Sequence, residues 1–301
     1  MSNSQPAPGH ADIRIGTIVH AESALANIPQ IAPHGFESFQ LTFGHRIGSL
    51  DVESLADQLH RMSAAASGSW VISALGIYGN PLVEDQVARD WARLIDLAPR
   101  LGCDLVSGFT GRIPDARVPD SIGRFRDVFG PLAAAAERRG VRLAFENCDM
   151  GGDWQRGDWN IAHSPAAWEM MFDAVPSDAL GLEWEPCHQL VSFVDPLPQL
   201  RQWLHKVFHV HGKDATVFWD EVRRWGIRGG KPYVYHRTPG FGDTNWTDLI
   251  SILRLGGYQG AIDIEGWHDP IYRDDLEMTG QVHALHYLKQ CRGGDYVPNP
   301  E

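Results

Sequence analysis

Cysteine is scarce in this chain of 301 residues. Cys103, Cys148, Cys187 and Cys291 lie far apart without metal-finger spacing, and read as free thiols. Basic residues are also in short supply, 26 Lys and Arg against 38 Asp and Glu for a net charge of −12. Binding a nucleic-acid backbone needs a basic surface, so such a partner is not expected. No apolar run approaches the roughly 18 residues of a membrane helix, and the charged and apolar regions of a signal peptide are missing. No GxGxxG follows an early strand and no Gly-rich phosphate loop is present, which removes support for a dinucleotide fold or a phosphorylated ligand. The expectation is a reduced, cytoplasmic protein with no nucleic-acid or membrane partner.

A hydrophobic content of 43% is ample for a core. Residues 1–11 are polar, carry Pro6, Pro8 and Gly9, and read as a disordered leader. From Ile13 onward, short apolar runs alternate with longer amphipathic ones. Eight runs predict strands: Ile13 to Val19, Phe36 to Phe43, Trp70 to Leu75, Asp104 to Phe109, Val141 to Phe145, Leu180 to Trp184, Val207 to His211 and Ala261 to Ile264. Helical spacing marks Val52 to Ala66, Gln86 to Leu101, Ile122 to Arg139, Pro165 to Ala174, Pro196 to His205, Trp246 to Leu255 and Leu276 to Cys291. Pro81, Pro119, Pro165 and Pro196 stand near helix starts, and Gly102, Gly140 and Gly257 follow helices just before the next strand. Strand and helix alternating eight times predict a parallel sheet closed into a single (β/α)8 TIM barrel over 12–292, with 293–301 as a C-terminal tail. Long loops follow strands five (Asp149 to His163) and seven (Thr216 to Asp243). Both leave C-terminal strand ends, the face on which such barrels carry their sites.

Strands five to eight end in LAFENC, GLEWEPCH, FHVHGKD and IDIEGWHD. Side chains alternate across a strand, so Glu146, Glu185, His211 and Glu265 should all point into the top of the barrel. Three carboxylates and one imidazole make an oxygen-rich set for one divalent ion, with Mn²⁺ favoured and Mg²⁺, Co²⁺, Zn²⁺ or Fe²⁺ accommodated. Glu183, His209 and Asp263 lie two residues before a proposed ligand. They should point inward one step deeper and orient the ligands by hydrogen bonds.

From Ile13 to about Cys291 the chain resembles the sugar phosphate isomerase/epimerase superfamily, the xylose-isomerase-like barrels. The resemblance is strongest from LAFENC onward. It implies that Glu146, Glu185, His211 and Glu265 hold one metal and that His188, after strand six, binds substrate. The strand-seven HxKD motif stands here as His211, Lys213 and Asp214. Two departures stand out. The third ligand is usually aspartate, and Glu185 is one methylene longer. The arginine that ketose 3-epimerases place six residues after the strand-seven histidine is Val217 here, with Arg237 the candidate substitute. HRTPGFGDTNW followed by GYQGAIDIEGWHDP resembles, more weakly, the subset containing the catalytic subunits of bacterial 3-keto-glycoside deglycosidases.

The implied chemistry is removal of a proton next to a carbohydrate carbonyl through an enediolate, with Glu146 and Glu265 as base and acid. His188 and Lys213 could neutralise the oxyanion, and Trp154 could stack on a sugar face. The leading expectation is a metal-dependent sugar isomerase or epimerase. A lyase cleaving 3-keto-glycosides by elimination from the same intermediate is the alternative. An endonuclease on the same barrel would need three metals and a basic groove, which the charge disfavours. A non-catalytic sugar-binding subunit would not require the full ligand set. The expected partner is a small carbohydrate, with a homo-oligomer or a small partner subunit compatible with the sequence.

Overall fold

The structure is a computed structural model that describes residues 10, 12–66 and 69–300. Most of the predicted leader therefore lies outside the described residues. His10, within it, sits against the C-terminal segment, its Nε2 2.9 Å from the Gly294 carbonyl.

Eight parallel strands close into a barrel: β1 (Ile13–His20), β2 (Ser38–Thr42), β3 (Val71–Ile77), β4 (Leu105–Gly108), β5 (Arg142–Glu146), β6 (Leu180–Trp184), β7 (Val207–Gly212) and, after an inserted hairpin, β10 (Gly260–Ile264). The order around the wall is β1-β10-β7-β6-β5-β4-β3-β2. The outer layer includes α1 (Ala24–Ile31), α2 (Val52–Ala65), α3 (Asp85–Leu97), α4 (Val118–Arg139), α5 (Pro165–Ala174), α6 (Pro186–Val191), α7 (Pro196–Trp203), α9 (Trp246–Leu255) and α10 (Glu277–Cys291).

Local chemistry explains many of the boundaries. Asp51 and Asn245 cap α2 and α9 by accepting from the Ser54 and Asp248 N–H groups. Gly140 ends α4 at φ 65°, where an L side chain would be strained. The short helices α1 and α6 were not anticipated. In α1, Pro29 interrupts the helical pattern of ALANIPQI.

The core lies between strands and helices. Phe145 of β5 shows this, its ring 4.9 Å from Phe129 and 5.6 Å from Phe125, both on α4. With Phe145 outside, the next residue, Glu146, must face the barrel interior. A bulge between Leu182 and Glu183 pairs Leu182 with Val207 but Glu183 with His209, aligning the polar ends of β6 and β7.

The long segment after β7 is largely folded. β8 (Asp214–Val217) and β9 (Val234–Arg237) form an antiparallel hairpin that carries α8 (Trp219–Trp225). Asp214, the last residue of the HxKD motif, is a buried clamp at its base. Its carboxylate accepts from Thr244 Oγ1 (2.6 Å) and Trp246 Nε1 (2.9 Å). Gly242 passes so close that an added Cβ would come within 2.3 Å of that carboxyl carbon. The segment after β5 is pinned as well. Arg112 donates to the Asp153 carbonyl, and Asn160 donates to the Glu146 and Cys148 carbonyls.

Candidate metal centre and active site

At the C-terminal end of the barrel, β5, β6, β7 and β10 bring one ligand-type atom each from Glu146, Glu185, His211 and Glu265 to within 4.8 Å of one another. All four residues are buried. Glu185 follows the last residue of β6 and is held in extended conformation by Asn147, whose side chain accepts from the Glu185 N–H (2.8 Å) and donates to its carbonyl (2.9 Å). Asn147 had no signal in the sequence beyond its place after Glu146.

Buried polar atoms without hydrogen-bond partners cluster here: both carboxylate oxygens of Glu185, Nδ1 of His211 and Oε2 of Glu265. Leaving such atoms unsatisfied costs about 1–3 kcal/mol each, more for charged groups. His188 Nε2 comes within 2.7 Å of Glu185 Oε1, off the axis that a hydrogen bond needs. Three carboxylates and an imidazole aimed at one point suit a divalent ion. The residues present therefore fit the implied metal.

One layer deeper, His209 lies between two carboxylates, its Nδ1 2.8 Å from Glu183 Oε1 and its Nε2 2.8 Å from Asp263 Oδ2. Ionised carboxylates only accept, so both ring nitrogens carry protons and His209 is an imidazolium. Burial alone would depress its pKa, but the hydrogen bonds to Asp263 and Glu183 raise it. Asp263 also accepts from the Ser38 and Ser73 hydroxyls. Gly16 makes room for this group, since a Cβ there would stand 2.1 Å from Asp263 Oδ1.

The deep layer orients His211. Its Nε2 faces Gln40 Oε1 at 2.8 Å and Glu183 Oε1 at 3.1 Å, both acceptors, so Nε2 bears the proton. Nδ1 is thereby left to face the other ligands, 3.5 Å from Glu265 Oε2. Gln40 donates in turn to Glu183 Oε1, and the Tyr78 hydroxyl donates to Glu183 Oε2. Gln40 and Tyr78 were not foreseen, because a polar residue within β2 or just after β3 carries no local mark of what it meets across a barrel.

The electrostatics follow from packing acids together out of water. Burial, then the Glu185 and Glu265 charges, push the Glu146 carboxyl well above the usual range. Burial would raise Glu265 as well, yet the Lys213 ammonium, with His211 and His268 beside it, holds it well below. Burial would lower His211, but the surrounding carboxylates of Glu183, Glu265 and Glu146 together raise it well above an ordinary histidine. Burial pushes the Cys148 and Cys187 thiols far up, so neither is a thiolate nucleophile.

A cavity of 1130 Å³ opens above this centre. Glu146, His211, Glu265, His188 and Lys213 line it, as does His236 of the inserted hairpin. Lys213 Nζ donates to Glu265 Oε1 at 3.0 Å and lies 3.8 Å from Glu185 Oε1, so it neutralises the ligand set itself. His236 meets His188 edge to face at 5.3 Å, and burial with the nearby Lys213 charge holds its pKa at about 4. Trp154 and Arg237 are not among the described residues lining the cavity. Trp154 packs against the core. Arg237 donates to Asp269 Oδ2 at 3.0 Å, bracing the hairpin to the segment after β10.

A family model described as a xylose isomerase-like TIM barrel matches residues 28–291. An inosose dehydratase of Clostridium perfringens is 25% identical over 166 residues, which are 53% of this chain and 51% of that protein. The chain thus spans about half the length of the curated relatives it matches first. Among solved structures, a xylose isomerase domain protein from Alicyclobacillus acidocaldarius superposes with a TM-score of 0.69 at 18% identity, covering 92% of this chain and 98% of its own. The 3-keto-D-glucoside 4-epimerase of E. coli superposes with a TM-score of 0.67 at 16% identity, covering 93% and 100%. No helix among the described residues is long and apolar enough to cross a membrane.

Proposed function

Because the chain belongs to the xylose isomerase-like TIM barrel family, we propose that it is a divalent-metal-dependent enzyme that removes the proton next to a carbohydrate carbonyl and returns it elsewhere, as an isomerase or epimerase. The observation that carries this reading is the convergence of Glu146, Glu185, His211 and Glu265 from four adjacent strands, with unpartnered ligand atoms facing one another. These four would hold one ion, Mn²⁺ in our reading. When bound, it supplies Lewis-acid polarisation of the carbonyl.

The protein's own groups do the rest. Glu146 on β5 and Glu265 beyond β10 stand at the two ends of the ligand arc, with β6 and β7 between them. They would approach a bound carbon from opposite sides, one removing a proton and the other delivering it. Lys213 and His188 line the same space, where they can stabilise the negative charge that develops on oxygen. His209, Glu183 and Asp263 hold His211 in the required tautomer. The unit is the barrel over 12–292, acting in the cytoplasm on a small carbohydrate.

Similarity to an inosose dehydratase favours a second outcome from the same intermediate, expulsion of a β-leaving group. With a glycosidic leaving group, that step would cleave a 3-keto-glycoside. Incubating the Mn²⁺-loaded protein in D₂O with a panel of ketoses and 3-keto-glycosides should place deuterium on the carbon beside the carbonyl. Absence of exchange with every member of the panel overturns both outcomes.

A further inference from the structure

The space above the ligands is larger than one sugar ring requires. Its 1130 Å³ exceeds the roughly 300–1,000 Å³ of pockets that enclose drug-sized molecules. Part of its wall is apolar and begins beside Glu265, because β1 is the barrel neighbour of β10. Ile18 at the end of β1, Ile31 of α1, Trp267 after β10 and Met278 of α10 form this wall. Trp267 is stacked on His20, ring centroids 5.7 Å apart and planes 29° from parallel, which makes a flat plate at the rim.

The charge of the lining is one-sided. Among the described lining residues there is no arginine and one lysine, Lys213, whose ammonium is engaged by Glu265 and Glu185. Asp274, Asp275 and Glu277 stand beside Met278 at the start of α10 and add negative charge next to the apolar wall. A phosphate or carboxylate lying along this wall would meet like charge, since the one lysine of the described lining is held at the other end by Glu265 and Glu185.

We propose that the substrate is a neutral glycoside larger than one sugar ring, its second ring lying on the wall of Ile18, Ile31, Trp267 and Met278 while the first sits over Glu146, Glu185, His211 and Glu265. A flat ring, whether a sugar's apolar face or an aromatic aglycone, is what such a wall stabilises. The inference rests on the preceding reading only for which ring reacts.

Calorimetric titration of the Mn²⁺-loaded full chain tests it without turnover. The probes are methyl and phenyl β-glycosides of glucose, galactose and xylose, together with cellobiose, glucose and glucose 6-phosphate. At least one phenyl glycoside, or cellobiose, should bind about 10- to 100-fold more tightly than the matching methyl glycoside, the gain expected for covering a ring. Superiority of cellobiose identifies a sugar as the second ring, and superiority of a phenyl glycoside identifies an aromatic aglycone. Trp267→Ala and Ile31→Asp should each bring the preferred probe down toward its methyl counterpart. The proposal is overturned if no larger glycoside exceeds its methyl partner threefold, or if glucose 6-phosphate binds more tightly than glucose. Deuterium exchange without size preference overturns this inference alone. Size preference without exchange overturns only the proton-abstraction reading.

Discussion

Replacing Asp263 by Asn preserves the shape of the deepest buried network and removes one charge from it. In the wild type, His209 is an imidazolium between Glu183 and Asp263, 2.8 Å from each, and Asp263 accepts from two serine hydroxyls as well. The asparagine carbonyl can still accept from His209 Nε2, but a hydrogen bond between two charged partners becomes one in which only the donor is charged. One serine must also turn to accept from the new amide. The metal-free variant should therefore lose about 1–3 kcal/mol in urea unfolding. Losing the Asp263 charge also loosens His209 and, through it, Glu183, whose carboxylate lies 3.1 Å from His211 Nε2 and so sets the aim of Nδ1. Outer hydrogen-bond partners of this kind typically contribute 10- to 100-fold to metal affinity, or about 1.4–2.7 kcal/mol, readable by titrating stripped protein with Mn²⁺. The pH dependence has a definite sign. His209 is raised in the folded state above its ordinary 6.5, so its stabilisation is complete below that pH and fades as pH rises through the folded value. The stability gap between wild type and variant should thus be widest below pH 6.5 and narrow above it. Affinity within threefold of wild type, together with a stability gap under about 0.5 kcal/mol at all pH values, would refute the role assigned to this layer.

Three further outcomes can be measured. Metal binding should release protons and weaken as pH falls, because Glu146 and His211 both hold protons above their ordinary ranges and must yield them to an ion. Titrations in buffers of different ionisation enthalpy count those protons, and a count of zero across neutral pH contradicts the electrostatics described. Glu146→Gln should weaken metal binding at least 100-fold yet stabilise the metal-free protein above pH 4.5. The wild-type carboxyl is raised by burial and by Glu185 and Glu265, and a tenfold change in proton affinity is worth about 1.4 kcal/mol. Unfolding curves showing the variant less stable than wild type at pH 8 would speak against this. Gly16→Ala should cost about 1–3 kcal/mol or prevent folding, because its Cβ would stand 2.1 Å from Asp263 Oδ1 and Ser38 Oγ. A melting temperature within 1 °C of wild type, taking about 2–4 °C per kcal/mol, would show that β1 and β10 can separate freely.

The barrel was legible in the chain because its signals are local. Eight apolar runs and the Pro and Gly punctuation between helices mark the eight barrel strands that the structure contains. Strand alternation put Glu146, Glu185, His211 and Glu265 on one level and Glu183, His209 and Asp263 on the next, and the same alternation is seen in the structure, with Phe145 turned outward against α4. What no local pattern could supply were partners from the far side of the closed wall. Gln40 and Tyr78 meet Glu183, Ser38 and Ser73 meet Asp263, and Asn147 holds Glu185 in place. Loop residues were judged from their position after a strand, yet the course of a loop is set by what pins it. Asp269 draws Arg237 aside, the core takes Trp154, and the hairpin built on buried Asp214 carries His236 to the cavity. Inside and outside are decided by a two-residue period that any strand obeys. Hydrogen-bond partners are decided by barrel closure, which brings residues more than two hundred positions apart into contact.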